Sequence, residues 1–289
     1  MIVWLASYPR SGNTLTRMLL FKTMGLESDS DEYEPAEFDF QYHKAWNGMG
    51  SWDAFYQYAS QSTEIFLVKT HRIPRDSQPA IYIVRDGRKS CLSYSYFHQR
   101  STPAPCPSLL EIVIGKDFYG GWSEHFGNWA CRDNVLTVRY EELVGASDEL
   151  LNTIAKWVRY AGPIRPWINP FDEEKKKDPH FFREGKVEWQ GDDHAWTPLV
   201  NAAFLKVHGD LMVELGYLSA ESVAMAMQSG LTECLPLLTI SRQLLTEKRV
   251  LEGICSARQS VIDELKTVCD ERLSLVERLN SILKSYGRR

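Results

Sequence analysis

Four short apolar runs, each followed by polar residues, mark the first half of the chain. They are rich in bulky residues, as buried strands are, and they lie at positions 2–6, 64–70, 79–84 and 134–138. After the first run, apolar residues recur three and four positions apart, which predicts a helix. A second helix is predicted around 150–160. Strands alternating with helices predict an α/β fold in three layers, with a central, mainly parallel sheet between two layers of helices.

The segment between the first strand and the first helix has the composition of an anion-binding loop. It reads Tyr8-Pro9-Arg10-Ser11-Gly12-Asn13-Thr14. A helix N-terminus offers main-chain N–H groups to a phosphate, Gly12 allows close approach, and Arg10 adds a permanent charge. Ser11 and Thr14 can donate hydroxyl hydrogen bonds. An ordinary strand-to-helix turn uses the same residue types and stays an alternative. The motif G-x-x-x-x-G-K-[ST] is absent, which argues against an ordinary ATP or GTP loop.

Polar side chains also follow the second and third predicted strands. Lys69, Thr70 and His71 come at the end of the second strand, and Arg85 directly follows the third. Ligands of open α/β sheets bind beyond the carboxyl ends of the strands. His71 is therefore a candidate proton acceptor, because histidine titrates near neutrality. The spacing from Arg85 to Ser93 lets a strand-end cation and a helix hydroxyl meet on one anion.

Composition restricts the class of protein. The 289 residues are 44% hydrophobic and carry a net charge of −5, which favours a globular chain and argues against a nucleic-acid binder. Six cysteines show no metal or redox spacing and are expected to be reduced, and no metal site is expected. With no leader or transmembrane run visible, a cytoplasmic protein is predicted.

Two connecting regions have unusual compositions. Residues 27–37 are acidic and are predicted to form a solvated loop. Residues 38–58 are rich in aromatic side chains, for which core packing is the preferred interpretation and the wall of an acceptor site the alternative. The proline-rich residues 101–108 could form a lid.

The last part of the chain has a heptad pattern. From position 244 onward, ten of the thirteen a and d positions are apolar, which predicts a coiled coil and a possible homo-oligomer through residues 244–289. A helix folded back on its own domain is the alternative. Arg258 and Arg272, both at a, would select against a tight, simple dimer. The predicted division is a domain over 1–217, a helical linker over 218–243 and the tail.

Several of these stretches together resemble one family, the sulfotransferases that use 3′-phosphoadenosine 5′-phosphosulfate (PAPS). The loop at 8–14 is similar to the family's Y-P-[KR]-S-G-[TN]-T, and Val68-Lys69-Thr70-His71 is similar to its K-T-H segment. Residues 81–88 with Ser93 resemble its 3′-phosphate site. Residues 118–125 with Trp129 resemble its Y-G-S-W-x-x-H…W element, and residues 182–187 its late R-K-G element.

The resemblance implies a P-loop-like fold and transfer of a sulfuryl group from PAPS to a hydroxyl or amine of a small-molecule, glycan or lipid acceptor. It implies His71 as general base, with Lys69 and Arg10 assisting at the transferred group. It also implies a set of cofactor-binding positions, namely Arg10, Ser11, Gly12, Asn13, Thr14, Arg85, Ser93, Tyr140, Arg183 and Gly185.

Some positions depart from the family pattern. Arg10 stands where many members have Lys, so stabilisation of the leaving phosphate is expected to be electrostatic. Leu15 stands in place of an adenine-stacking Trp, and Glu184 replaces the Lys of R-K-G. A different class therefore stays open, a non-catalytic scaffold that keeps the nucleotide pocket and oligomerises through its tail. An ATP-dependent kinase is disfavoured because the Walker lysine is missing.

Overall fold

The structure is a computed structural model that describes residues 1–31, 46–101, 106–177, 188–191, 193–228 and 250–274, the last with gaps at 252, 256, 260 and 264. The chain divides into two units, Met1–Leu238 and Thr239–Arg289.

The first unit is built on a five-stranded parallel sheet in the order β2-β3-β1-β4-β5. The strands are β1 (Ile2–Ser7), β2 (Asp29–Ser30), β3 (Phe66–Thr70), β4 (Ala80–Val84) and β5 (Val135–Arg139). All six residues of β1 are buried, as a central strand covered on both faces requires. The predicted α/β fold with a parallel sheet is confirmed.

Helices follow the strands in the predicted alternation. They are α1 (Asn13–Met24), α2 (Trp52–Gln61), α3 (Gly87–Ser101), α4 (Leu109–Val113), α5 (Trp122–Ala130), α6 (Tyr140–Val144), α7 (Asp148–Trp157), α8 (Phe171–Lys177), α9 (Pro198–Glu214) and α10 (Ala220–Gln228). A 3-10 turn covers Trp46–Gly48.

Two apolar cores lie on the two faces of the sheet. In β1, Ile2, Trp4 and Ala6 belong to one core, whereas Val3 and Leu5 belong to the other. Successive side chains of a strand point to opposite faces, so one short apolar run supplies both cores. The result is the three-layer arrangement predicted from the sequence.

The expectation of a solvated acidic loop over residues 27–37 holds at Glu27, which is exposed, and is wrong at the next two acidic residues. Asp29 and Asp31 are buried, and β2 pairs with β3. The Asp29 carboxylate accepts a hydrogen bond from the main-chain N–H of Trp46 at 2.6 Å, and the Asp31 carboxylate accepts one from the Thr70 hydroxyl at 2.8 Å. These partners, distant in sequence, offset the cost of burying two carboxylates. Residues 32–37 lie outside the described part.

The aromatic region packs into the core where the structure describes it. Phe55 is fully buried, and the ring centroid of Trp52 lies 6.2 Å from that of Trp4. Trp4 Nε1 and the Tyr56 hydroxyl both donate to the carboxylate of Asp76, at 2.9 and 2.8 Å. Trp46, Trp52, Phe55 and Tyr56 therefore support core packing, the preferred interpretation, whereas Tyr58 is exposed and residues 38–45 lie outside the description.

Helix α10 packs on α9, where Val223 lies against Gly209. In the second unit, the described residues between 250 and 274 are helical and exposed. The five cysteines within the description, at 91, 106, 131, 255 and 269, are free thiols. Within the residues that the structure describes, no helix is both long enough and apolar enough to cross a bilayer.

Candidate active site

The loop after β1 turns sharply at two left-handed residues. Arg10 has φ 62° and Gly12 has φ 111°. A Cβ atom on Gly12 would lie 2.5 Å from Cδ2 of Tyr140, so the glycine allows the Tyr140 ring to pack directly on the main chain. Helix α1 begins at the next residue, and the first N–H groups of a helix have no intrahelical partner. Main-chain donors are therefore available where the sequence predicted them.

Two side chains of this loop are engaged by the protein itself. The Ser11 hydroxyl lies 3.0 Å from the Ser90 hydroxyl in a fully buried contact. The Asn13 amide donates to the carbonyl of Leu5 at 2.7 Å and to the Ser7 hydroxyl at 3.3 Å. The main-chain N–H of Ser11 also donates within the protein, to the carbonyl of Tyr8 at 3.2 Å, so of these two residues it is Asn13 that can offer its main chain to an anion. Thr14 is half-buried at the start of α1.

Four predicted cofactor-binding positions come together from three separate segments. Arg10 Nε donates to the Ser93 hydroxyl at 3.4 Å. Arg85 Nη1 donates to the carbonyl of Arg10 at 3.1 Å, and its guanidinium lies 4.2 Å from the centroid of the Tyr140 ring. Two permanent cations and a hydroxyl at a helix N-terminus fit a ligand with more than one phosphate.

Glu141 connects three segments of the chain near Arg85. Its carboxylate accepts from the main-chain N–H of Asp86 at 3.4 Å and from the Tyr217 hydroxyl at 2.8 Å. Asp86, in turn, is paired with Arg88 at 2.6 Å. These contacts connect the end of β4, the start of α6 and the chain after α9, and so hold Arg85 and Tyr140 in place.

His71 lies at the carboxyl end of β3, beside the end of β1. Its Nδ1 is 2.8 Å from the main-chain oxygen of Ser7 and 3.3 Å from the Ser7 hydroxyl. A carbonyl oxygen only accepts hydrogen bonds, so Nδ1 carries the proton in this contact. The neutral ring then has its lone pair on Nε2, the nitrogen that can accept a proton.

Three neighbours complete the surroundings of His71. The Tyr119 ring meets the imidazole edge-on, with centroids 5.9 Å apart. Lys69, two residues before His71, is half-buried on β3 and in register with Leu5 of β1. On the other side, the Trp129 indole donates to the carbonyl of Arg72 at 3.0 Å.

Sequence reasoning assigned no role to Ser7 or His125. Ser7 is the one polar side chain of a buried strand, which is the signal that marks it. His125 is only 1% exposed and has its Nε2 2.8 Å from the carbonyl of His71. Its motif marked the start of α5, but the contact with residue 71 depends on the packing of α5 against the sheet.

Two buried groups at the loop keep their protons, because burial raises their pKa values. Burial raises the pKa of the Cys91 thiol to about 12, so the thiolate needed for nucleophilic attack is scarce. Burial also raises the pKa of the Tyr8 hydroxyl.

Among the remaining predicted positions, Arg183 and Gly185 lie outside the described residues, as does Glu184. Leu15 is buried in the second core.

Residues 2–178 match the family model of the sulfotransferase domain, which is more than half of the chain. The chain therefore belongs to the sulfotransferase domain family. The match confirms the sulfotransferase family predicted from the sequence, and with it the enzyme class, a sulfotransferase. No curated protein matches the sequence.

Solved structures resemble this chain only distantly. Mouse sulfotransferase SULT7A1 complexed with PAP is 19% identical and has a TM-score of 0.48, over 78% of this chain and 86% of that one. Retinol dehydratase with androsterone and the inactive cofactor PAP is 19% identical, with a TM-score of 0.45 over 73% and 80%. Retinol dehydratase in a complex with retinol and PAP is 19% identical, with a TM-score of 0.44 over 73% of this chain and 81% of that one. The family assignment does not depend on these likenesses.

Proposed function

We propose that this protein transfers the sulfuryl group of PAPS to a hydroxyl or amine, with His71 as general base. The observation that supports the base is the 2.8 Å contact between His71 Nδ1 and the carbonyl of Ser7. Because Nδ1 donates there, Nε2 is the atom that would take the proton of the acceptor. A base placed in this way typically contributes about 10²–10⁴-fold to the rate.

The other side chains would act through charge and position. Arg10 and the main chain of Ser11, Gly12, Asn13 and Thr14 would hold the 5′-phosphosulfate. PAPS supplies an activated sulfuryl group whose leaving phosphate gains negative charge during transfer. A fixed cation such as Arg10 stabilises that charge without reorganisation, and Lys69 would assist at the transferred group.

The 3′-phosphate would be bound by Arg85 and Ser93, both of which already contact Arg10. Tyr140, stacked on the Arg85 guanidinium, would contact the adenine, and Arg183 with Gly185 would reach the same phosphate. The acceptor would be a small molecule, a glycan or a lipid. We place the reaction in the cytoplasm, consistent with cysteines that show no pairing pattern.

The pocket is tested by calorimetric titration of the full chain with 3′-phosphoadenosine 5′-phosphate (PAP), AMP and ATP. PAP should bind at least about tenfold more tightly than AMP, since a charge-assisted contact to the extra phosphate contributes roughly 1.5–3 kcal/mol. Equal binding of PAP and AMP, or a preference for ATP, would overturn the assignment of the 3′-phosphate site.

A second candidate function, an oligomerising scaffold, is favoured by one feature of the tail. Apolar a and d side chains are exposed on the helix between 250 and 274, namely Leu251 (61%), Ile254 (44%), Val261 (54%), Leu265 (59%) and Val268 (43%). Such a stripe is typical of a coiled-coil seam. We propose that residues 244–289 associate with the same segment of a second copy. Catalysis and oligomerisation are compatible, and PAPS turnover by the purified chain separates an enzyme from a pure scaffold.

A further inference from the structure

His125 makes two hydrogen bonds that use both ring nitrogens. Nε2 lies 2.8 Å from the carbonyl of His71 and Nδ1 lies 2.9 Å from the Tyr82 hydroxyl. The carbonyl can only accept, so Nε2 carries a proton, and the neutral ring must then accept from the Tyr82 hydroxyl at Nδ1. The two partners therefore agree on a single tautomer.

The apolar surroundings of His125 favour this neutral form of the ring. The ring is 1% exposed and packs between aromatic side chains, with the Tyr8 centroid at 5.8 Å and the Tyr82 centroid at 5.7 Å. Burial raises the pKa of Tyr82 above its ordinary value, so its hydroxyl keeps the proton that it donates. With Nε2 and Nδ1 both committed, His125 is not arranged as a base or a proton relay.

The bond from His125 acts on the main chain of the residue that carries the base. Beyond β3 the chain leaves the sheet, and two carbonyls in a row are bound by α5, that of His71 by His125 and that of Arg72 by Trp129. The imidazole of His71 is bound independently, through Nδ1, to the carbonyl of Ser7. The main chain and the ring of residue 71 are thus fixed at separate points, which leaves little freedom at Nε2.

We propose that His125 is a positioning residue for the general base, which it holds through the carbonyl of His71. This inference rests on the proposed role of His71. A base must lie within about 2.6–3.2 Å of the oxygen or nitrogen atom whose proton it takes, so a small rotation of residue 71 is enough to lower the rate. His125 itself touches neither PAPS nor acceptor in this account.

The test compares two variants that keep different hydrogen bonds. In His125→Gln the terminal amide nitrogen stands near the original Nε2 and can still donate to the carbonyl of His71. In His125→Asn the shorter amide stands near Nδ1 and cannot reach that carbonyl. Both variants lose the ring packing, and only His125→Gln also loses the group near the Tyr82 hydroxyl, so a defect found in His125→Asn alone is due to the bond to residue 71.

The readout is the tautomer of His71, measured by long-range ¹H–¹⁵N correlation spectra of the full chain labelled with ¹⁵N-histidine. The signals of His71 are identified by their loss in His71→Ala. Wild type and His125→Gln should show a single Nδ1–H tautomer at residue 71, and His125→Asn a mixture. Turnover, followed as PAP release from PAPS, should fall roughly 10–100-fold in His125→Asn with KM for PAPS within about twofold, and recover in His125→Gln.

A folded His125→Asn with an unchanged His71 tautomer would overturn the inference, as would equal effects of the two variants. If His125→Asn does not fold, the wild-type spectrum decides, because His125 must appear as the Nε2–H tautomer, and an Nδ1–H tautomer there would overturn the inference. Full turnover by His71→Ala would instead refute the base itself. An inactive His71→Ala beside a normal His125→Asn would refute only the positioning role.

Discussion

The imidazole of His71 and the main-chain oxygen of Ser7 join the ends of two neighbouring parallel strands, β3 and β1, through a hydrogen bond of 2.8 Å. The loop that follows Ser7 contains Arg10 and leads into α1. One contact therefore sets the position of the proposed base relative to the proposed phosphate loop. The proposed proton transfer depends on this relationship more than on any single side chain.

Replacing Arg85 with alanine should weaken PAP binding and leave AMP binding nearly unchanged. The guanidinium is proposed to contact only the 3′-phosphate, so its loss should cost about 1.5–3 kcal/mol for PAP, or roughly 10–150-fold in Kd. Calorimetry with both nucleotides checks the difference. Arg165→Ala, at an exposed arginine, is the matched control. Equal loss for PAP and AMP would contradict the assignment.

Replacing Gly12 with alanine should disrupt the loop more than a comparable change elsewhere. A side chain at φ 111° is strained by roughly 1–3 kcal/mol, and the new Cβ would in addition lie 2.5 Å from the Tyr140 ring. Gly25→Ala is the matched control, since Gly25 has φ 71° but nothing within 4 Å of its Cβ position. Only Gly12→Ala should lose PAP binding, by at least about tenfold. Similar PAP affinity in the two variants would show that the Tyr140 contact does not matter.

Stability below about pH 4 should depend on Glu111. The ammonium of Lys116, followed by the main-chain N–H of Ser108, lowers the pKa of Glu111 to about 2. The unfolded chain restores the ordinary value near 4.3. The ionised Glu111 carboxylate therefore stabilises the folded state above pH ~4.3, and this stabilisation is lost as the pH falls toward 2.

The measurement is denaturant unfolding of wild type and Glu111→Gln across that pH range. Because the pair is largely exposed, wild type should be more stable by a few tenths to about 1 kcal/mol at neutral pH. The gap should close as the solution is acidified. Lys116→Met should remove most of the same pH dependence, and a gap that is constant with pH would be inconsistent with the ion pair.

The tail makes a prediction about association. Leu265→Glu places a charge at an a position of the proposed seam and should lower the mass of the particle measured by light scattering. Gln259→Glu adds the same charge at an outward b position and should leave the mass unchanged. A wild-type chain that is monomeric at all concentrations would contradict the proposed coiled coil.

The parallel sheet could be predicted because four of its five strands are apolar runs that stand out from polar surroundings. β2 could not be predicted, because Asp29–Ser30 has the composition of a loop. Its burial depends on two hydrogen bonds from Trp46, to the carboxylate of Asp29 and the carbonyl of Ser30, and that of the next residue, Asp31, on one from Thr70. The hydrophobic pattern of a sequence indicates that a strand is buried, but it does not indicate which distant residues form hydrogen bonds with a polar strand.

Which of the described residues come together could be predicted from the motifs, whereas the contacts of their side chains could not. Arg10, Arg85, Ser93 and Tyr140 meet as the order of motifs indicates. The side chains of Ser11 and Asn13, however, bond to protein groups, because Ser90 and the end of β1 lie within reach in the folded chain. The bond from His125 to residue 71 likewise depends on tertiary packing.

The most direct test of the account is to compare turnover with PAP affinity in His71→Ala. Turnover is PAP release from PAPS in the presence of a panel containing a phenol, an alkyl alcohol, a sugar and an aryl amine. His194→Ala, at an exposed histidine, is the control. If His71 is the general base, His71→Ala loses about 10²–10⁴-fold in turnover, with PAP affinity within about twofold of wild type. Turnover by His71→Ala equal to that of wild type would contradict this role.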